Sequence, residues 1–123
     1  AGVKSDSLVE HVDFYPTLLE LCELDAASPL QGESIVPLLN NPEMKGRDYA
    51  YTVVSRGQKL GRSIRSDRWR YAEWFDAENA ELYDLRGDPM EYTNLAGNPE
   101  YASQLKTMRK ALAKVKQTAG SER

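Results

Sequence analysis

The sequence predicts an α+β fold: a four-stranded antiparallel sheet packed by a C-terminal helix, preceded by helices with no sheet of their own. Three observations predict it. Residues 49–85 are rich in Tyr and Arg, hold both tryptophans and break into four short runs at polar turns, the pattern of strands that pair with their sequence neighbours. Tyr101, Leu105, Met108, Leu112 and Val115 follow at spacings of 4, 3, 4 and 3, which makes one apolar stripe on a helix. Residues 1–48 hold short helical stretches between Pro- and Asn-containing loops, and their apolar faces need a covering surface that this segment does not encode.

Composition narrows the class. The chain has 123 residues, 41% hydrophobic and 28% charged, with a net charge of −3. That balance fits a globular chain and gives no overall attraction to nucleic acid or anionic lipid. No apolar run approaches the ~20 residues of a membrane span. The first residues, Ala-Gly-Val-Lys-Ser-Asp, have no initiator Met and no apolar signal core, so they read as an internal cut. A single cysteine, Cys22, excludes an internal disulfide.

In chain order, residues 8–12 read as a strand or an extended lead-in. A helix then starts with Asp13 as N-cap, because Pro16 is harmless in a first turn and costs ~3 kcal/mol in a helix interior. Tyr15, Leu18, Leu19 and Cys22 fall on one apolar face of that helix, where Cys22 acts as a small hydrophobe. Ser34 caps a short helix through Leu39 that stops at Asn40-Asn41-Pro42, and residues 42–48 form a boundary loop. Strands are expected at 49–55, 60–65, 68–75 and 80–85. Ser66-Asp67 forms the tight turn between the second and third, and 76–79 the turn before the fourth. Asp88-Pro89-Met90-Glu91 has the form of a capping box opening another helix. Asn98-Pro99 opens the last helix, which Gly120 ends. Its lysines and Arg109 form a solvated face.

Three segments carry a family resemblance. They are Val12-Asp13-Phe14-Tyr15-Pro16-Thr17-Leu18-Leu19-Glu20-Leu21, the hairpin from Gly61 to Trp74, and Glu81-Leu82-Tyr83-Asp84-Leu85-Arg86-Gly87-Asp88-Pro89-Met90-Glu91 running on to Asn94-Leu95. In content and order they resemble the C-terminal part of type I sulfatases, of the iduronate-2-sulfatase-like or arylsulfatase-like kind, in the alkaline-phosphatase-like superfamily. The resemblance implies that residues 1–48 are the end of a catalytic α/β domain and 49–123 a C-terminal subdomain. It also implies a parent enzyme that hydrolyses sulfate esters, of sulfated sugars by expectation, with a formylglycine nucleophile and a calcium ion. The missing N-terminal catalytic domain and a sulfated carbohydrate are then the partners, in a periplasmic, secreted or lysosomal setting. The family's nucleophile lies in a C/S-x-P-x-R motif. None occurs here, and Leu24 and Ala26 stand where Cys22 would need Pro and Arg. No catalytic or metal residue is therefore carried over, and the fragment alone is expected to be inactive. The rival reading is a non-catalytic α+β module that binds anionic glycans or a protein.

Among individual residues, His11 and Asp13 form a pair too small for a metal site, which needs three or four ligands. Arg62, Arg65, Arg68 and Arg70 alternate across strand faces, so they cannot converge on one ligand. They are expected to pair across strands with Asp84 or Glu73, or to stack on Trp. The substrate candidates are Arg56 and Lys59, two cations on a strand-joining loop whose Gly57 permits close approach. By the resemblance, that loop overlooks the active-site mouth.

Overall fold

The computed structural model describes residues 2–120, with the side chains at 76, 77 and 118–120 left aside. The chain divides into two compact units that meet between Asp48 and Tyr49.

In the first unit, a 3₁₀ turn, His11–Asp13, leads into helix α1, Phe14–Leu21, and a short helix α2 spans Val36–Asn40. The extended lead-in is confined to a single antiparallel bridge, Leu8 with Arg47. Asp13 stands at the N-cap position of α1 as expected, yet its side chain makes no cap hydrogen bond there. The carboxylate is fully buried and accepts from Glu10 N at 2.7 Å, Glu33 N at 3.0 Å and Arg47 Nη2 at 2.8 Å. Two distant segments and the preceding turn are thus fastened to one side chain, a stronger use of a charged acceptor than a single terminal N–H. Thr17, one turn on, donates to the Asp13 carbonyl at 2.5 Å and accepts from Ile35 N at 3.0 Å.

These bonds draw the polar side of α1 inward. Tyr15 and Leu18 are 55% and 59% exposed, and Cys22 is exposed as well, so the expected packing of this face, Cys22 included, does not occur within the unit. The N-cap position of α2 falls on Ile35 and not on the expected Ser34, whose Oγ accepts from Val36 N at 3.2 Å from one residue further out.

The second unit is a meander. Strands β1 (Ala50–Arg56), β2 (Lys59–Arg65), β3 (Trp69–Trp74) and β4 (Asp76–Asp84) pair antiparallel in sequence order. Helix α3, Ala102–Gly120, follows a 3₁₀ turn at Pro99–Tyr101, and Asn98 caps that turn through Glu100 N at 3.0 Å. The register aligns Tyr51, Ile64, Tyr71 and Leu82 across the sheet. Met108 and Leu112 of the predicted stripe meet them, and Ile64, Tyr71, Leu82, Met108 and Leu112 are all essentially inaccessible to solvent. Tyr101 and Leu105 pack at the margin of this core, and Trp69 meets Tyr101 edge-on at 5.9 Å.

Several boundaries differ from the sequence reading. Arg56 and Lys59, expected on a strand-joining loop, are the last residue of β1 and the first of β2, because the ladder continues to their pair. Ser66 N donates to Trp69 O at 2.8 Å, and Trp69 N donates to Ser66 Oγ at 2.9 Å. The tip of the central hairpin is therefore Asp67-Arg68, one residue later than expected. β4 begins at Asp76 rather than after a turn at 76–79. The chain reverses instead at Phe75, whose φ is +70°, and the pairing slips between Glu73 and Trp74. Finally, residues 88–91 form a turn and not a helix. Glu91 has φ +58°, which no right-handed helix can continue, and its carboxylate is held by Arg70 at 2.5 and 2.6 Å. Asp88 accepts from Thr93 N instead of capping.

The last loop also closes the outer edge of β4. Leu95 N donates to Leu82 O at 2.8 Å, and Leu82 N donates to the Asn94 side-chain oxygen at 3.1 Å. An edge that would otherwise present open backbone groups is thereby satisfied.

Candidate functional site

The β1–β2 hairpin turns through two residues. Gly57 has φ +64° and Gln58 does not share the positive sign, as a type II′ turn requires and as a glycine in first position supplies. Arg56 and Lys59 consequently face each other directly across the hairpin. Like charges so placed repel. Both are relieved by aromatic rings: the Arg56 guanidinium carbon lies 5.6 Å from the centre of the Trp74 ring, and Lys59 Nζ lies 5.3 Å from that of Phe75. The cation–π attraction is worth about 0.5–1 kcal/mol at such exposed positions.

The sheet register explains how a side chain on β3 reaches β1. Val54, Gly61 and Trp74 are opposed across three strands, and the indole leans over Gly61. A Cβ there would stand 2.7 Å from Cζ3 and 2.8 Å from Cε3 of the ring. Glycine inside a strand commonly marks such a close approach. The indole N–H donates to Glu81 Oε1 at 3.2 Å, which fixes the ring's rotation. Phe75 sits beside it, 54% exposed, with its N–H donated to Leu60 O. The substrate candidates Arg56 and Lys59 thus have two ring partners that the sequence reading passed over. Gly61 in mid-strand was the available signal for Trp74. Nothing in the sequence marks Phe75 for a left-handed backbone.

Arg68 and Arg70 engage separate carboxylates. Arg68 grips both oxygens of Asp84, at 3.0 and 2.7 Å, and its guanidinium carbon stacks 4.8 Å from the Trp69 ring centre. That fork holds the Asp84 carboxyl below the usual carboxylate range. Arg70 forks onto Glu91 and lies 4.9 Å from the centre of the Tyr83 ring. Arg62 is half-buried and Arg65 exposed. On the helix side, the Tyr71 hydroxyl donates to Glu73 at 2.8 Å and accepts from Arg109 Nε at 3.2 Å; burial pushes this phenol up.

His11 stacks against Phe14, while both carboxylate oxygens of Asp13 are taken by backbone amides and Arg47. The pair does not converge on an ion. Among the described residues, no group of three or more His, Cys, Asp or Glu is placed to hold a metal ion.

Comparison with known proteins agrees with this architecture. The family profile "N-sulphoglucosamine sulphohydrolase, C-terminal" matches residues 1–118. A sulfatase of Formosa agariphila is 32% identical over 98% of this chain, which spans 23% of that protein. An N-acetylglucosamine-6-O-sulfatase of Bacteroides thetaiotaomicron is 30% identical over 91% of the chain and 22% of its own length. The solved structure of a 2-O GAG sulfatase superposes with a TM-score of 0.76 at 28% identity, covering 88% of this chain and 24% of that one. The chain therefore spans about a quarter of the length of these relatives. They include both 2-O and 6-O enzymes, so the matches do not single out the iduronate-2-sulfatase-like branch.

Proposed function

The chain belongs to the N-sulphoglucosamine sulphohydrolase C-terminal family, and from that premise we propose that it is the C-terminal part of a sulfatase acting on sulfate esters of sulfated sugars. Family membership is the observation that carries this reading, and the sugar specificity is supported by the names of the relatives. Formylglycine and calcium are the nucleophile and metal proposed for the whole enzyme. The residues of this chain do not fit either group: it has no C/S-x-P-x-R motif and no acidic cluster among its described residues. No chemical step is assigned to it.

Its contribution is substrate binding. Arg56 and Lys59, held opposite one another at a hairpin tip, supply paired positive charge for a carboxylate or a second sulfate of the sugar. Charge-assisted contacts of this kind are worth roughly 1.5–3 kcal/mol when well formed and much less when solvated.

The test is steady-state kinetics of the full-length enzyme with Arg56→Ala and Lys59→Ala combined. On a polyanionic sugar sulfate, KM should rise with kcat nearly unchanged, the pattern of lost uniform binding. A small aryl sulfate without a second anion should be turned over as before. Equal losses on both substrates would count against the proposal, as would no loss on either. The 123-residue chain alone should not hydrolyse an aryl sulfate with or without calcium. Turnover abolished by Cys22→Ser would refute that assignment.

A further inference from the structure

Trp74 and Phe75 are each positioned by specific contacts. Trp74 lies over a glycine that leaves room for nothing larger, and its N–H is tied to Glu81. Its ring is therefore fixed in plane and rotation before any ligand arrives. Phe75 holds a left-handed backbone at φ +70°, a conformation that costs a bulky residue about 1–3 kcal/mol. Within this chain the residue remains 54% exposed. The reversal between β3 and β4 is made at this residue, and strained backbone of this kind clusters at binding sites. Both rings sit at one end of the sheet, each with a cation 5–6 Å from its centre.

We infer that Trp74 and Phe75 form a stacking surface for a sugar ring of a sulfated saccharide, with Arg56 and Lys59 swinging off the ring faces they rest on to take the saccharide's anionic groups. This deepens the function proposed above and rests on it. A pyranose ring presents C–H bonds on its faces, and these carry the partial positive charge that the electron-rich face of an aromatic ring attracts. A fixed ring loses little freedom on binding, which favours affinity. Charge orients the occupant. Glu81 shares this face of the sheet at the Nε1 side of Trp74, where Arg70 offsets its charge at 3.8 Å, so a sulfate is drawn to the paired cations at the Arg56–Lys59 end. A polyanion without sugar rings would satisfy the cations and leave the rings unused.

The 123-residue chain has two tryptophans, so its indole N–H resonances report the site and the fold separately once Trp69→Phe has assigned them. Titration uses a heparin-derived tetrasaccharide and the same tetrasaccharide after chemical desulfation. The Trp74 resonance should move with both ligands while that of Trp69 stays still. Trp74→Ala and Phe75→Ala should each weaken both ligands about three- to tenfold, the size of a single aromatic contact. Phe75→Ala removes an exposed side chain, so its result does not depend on a rebuilt core. Arg56→Ala with Lys59→Ala should weaken only the sulfated ligand. Suppose instead that the sulfated ligand binds, the Trp74 resonance stays still and both aromatic variants bind like the parent. Stacking is then overturned, while the charge reading stands. If neither saccharide moves either indole, stacking is likewise overturned, and the kinetics of the Arg56 and Lys59 double variant decide the charge reading separately.

Discussion

Asn94 offers a sharp test of how the second unit is held together. Its side-chain oxygen accepts from Leu82 N at 3.1 Å and Ala96 N at 3.0 Å, and its amide donates to Ala80 O at 3.3 Å. Leu82 is fully buried at the centre of the core, and the Leu82 N–H points away from β3 toward this one side chain. Replacing Asn94 by Ala therefore strands a donor in the interior and frees the loop that covers it. An unsatisfied buried group costs about 1–3 kcal/mol, and the loss should fall near 2 kcal/mol with the other two bonds included. Asn94→Asp keeps both acceptor contacts and loses only the donor to Ala80, so about 0.5–1.5 kcal/mol should go. For a unit of this size, each kcal/mol moves Tm by roughly 4–8 °C. Urea unfolding followed by Trp69 fluorescence measures both variants, and amide exchange at Leu82 should accelerate in Asn94→Ala. If Asn94→Ala loses less than about 0.5 kcal/mol, or if Asp costs as much as Ala, the edge-closing role assigned to this oxygen is wrong.

Gly61→Ala places a methyl 2.7 Å from the Trp74 ring, so the indole must move. The Trp74 resonance should shift with that of Trp69 unchanged, at an overpacking cost of about 1–3 kcal/mol; an undisturbed Trp74 would disprove the close approach. Asp84, whose pKa the Arg68 fork depresses, contributes stability that is present above the ordinary aspartate value near ~3.9. That contribution is lost as pH falls through the lower folded value. In Arg68→Gln its carboxyl ¹³C titration should move back up, and an unchanged midpoint would show that Arg68 is not the cause of the depression. Asp13→Asn keeps the shape of a buried side chain but turns an accepting atom into a donor facing N–H groups. A loss of about 3 kcal/mol is expected for a broken buried pair, read as faster proteolysis within residues 1–48, and parent-like resistance would argue against the Asp13 hub.

The sheet and α3 were legible because each has one buried face and a fixed period. Strand alternation set the partners of Ile64 and Tyr71, and the stripe through Met108 and Leu112 could meet the sheet in only one way. What escaped the sequence lay where a side chain had a competing use. Asp13 could cap a helix, but two donors from other segments and the Glu10 amide just before it outcompete that role. Asp88 and Glu91 have capping-box spacing, yet a fork from Arg70 holds Glu91 in a conformation no helix admits. For Arg56 and Lys59 the loop was visible as a cationic turn. The rings beside them were not, because Trp74 reaches across two strands over Gly61 and Phe75 depends on a slip in register.

The same competition bears on where substrate recognition resides in this chain. The segments carrying the family resemblance are largely used up by the fold. Asp13 and Thr17 tie the first unit, Asp84 holds Arg68, Glu91 holds Arg70, and Asn94 seals the edge of β4. Side chains so engaged have little capacity left to bind a ligand without breaking what they hold. They identify the family through its architecture and say little about which ester is cut. Arg56 and Lys59 differ in kind: they rest on ring faces, which leave guanidinium and ammonium N–H groups to be donated elsewhere. A cation on a ring can leave it for a sulfate and uncover the ring face for a sugar. Under the proposed function, discrimination among sulfated sugars by this chain therefore falls to the hairpin tip and its two aromatics, where charge, shape and fixed geometry coincide.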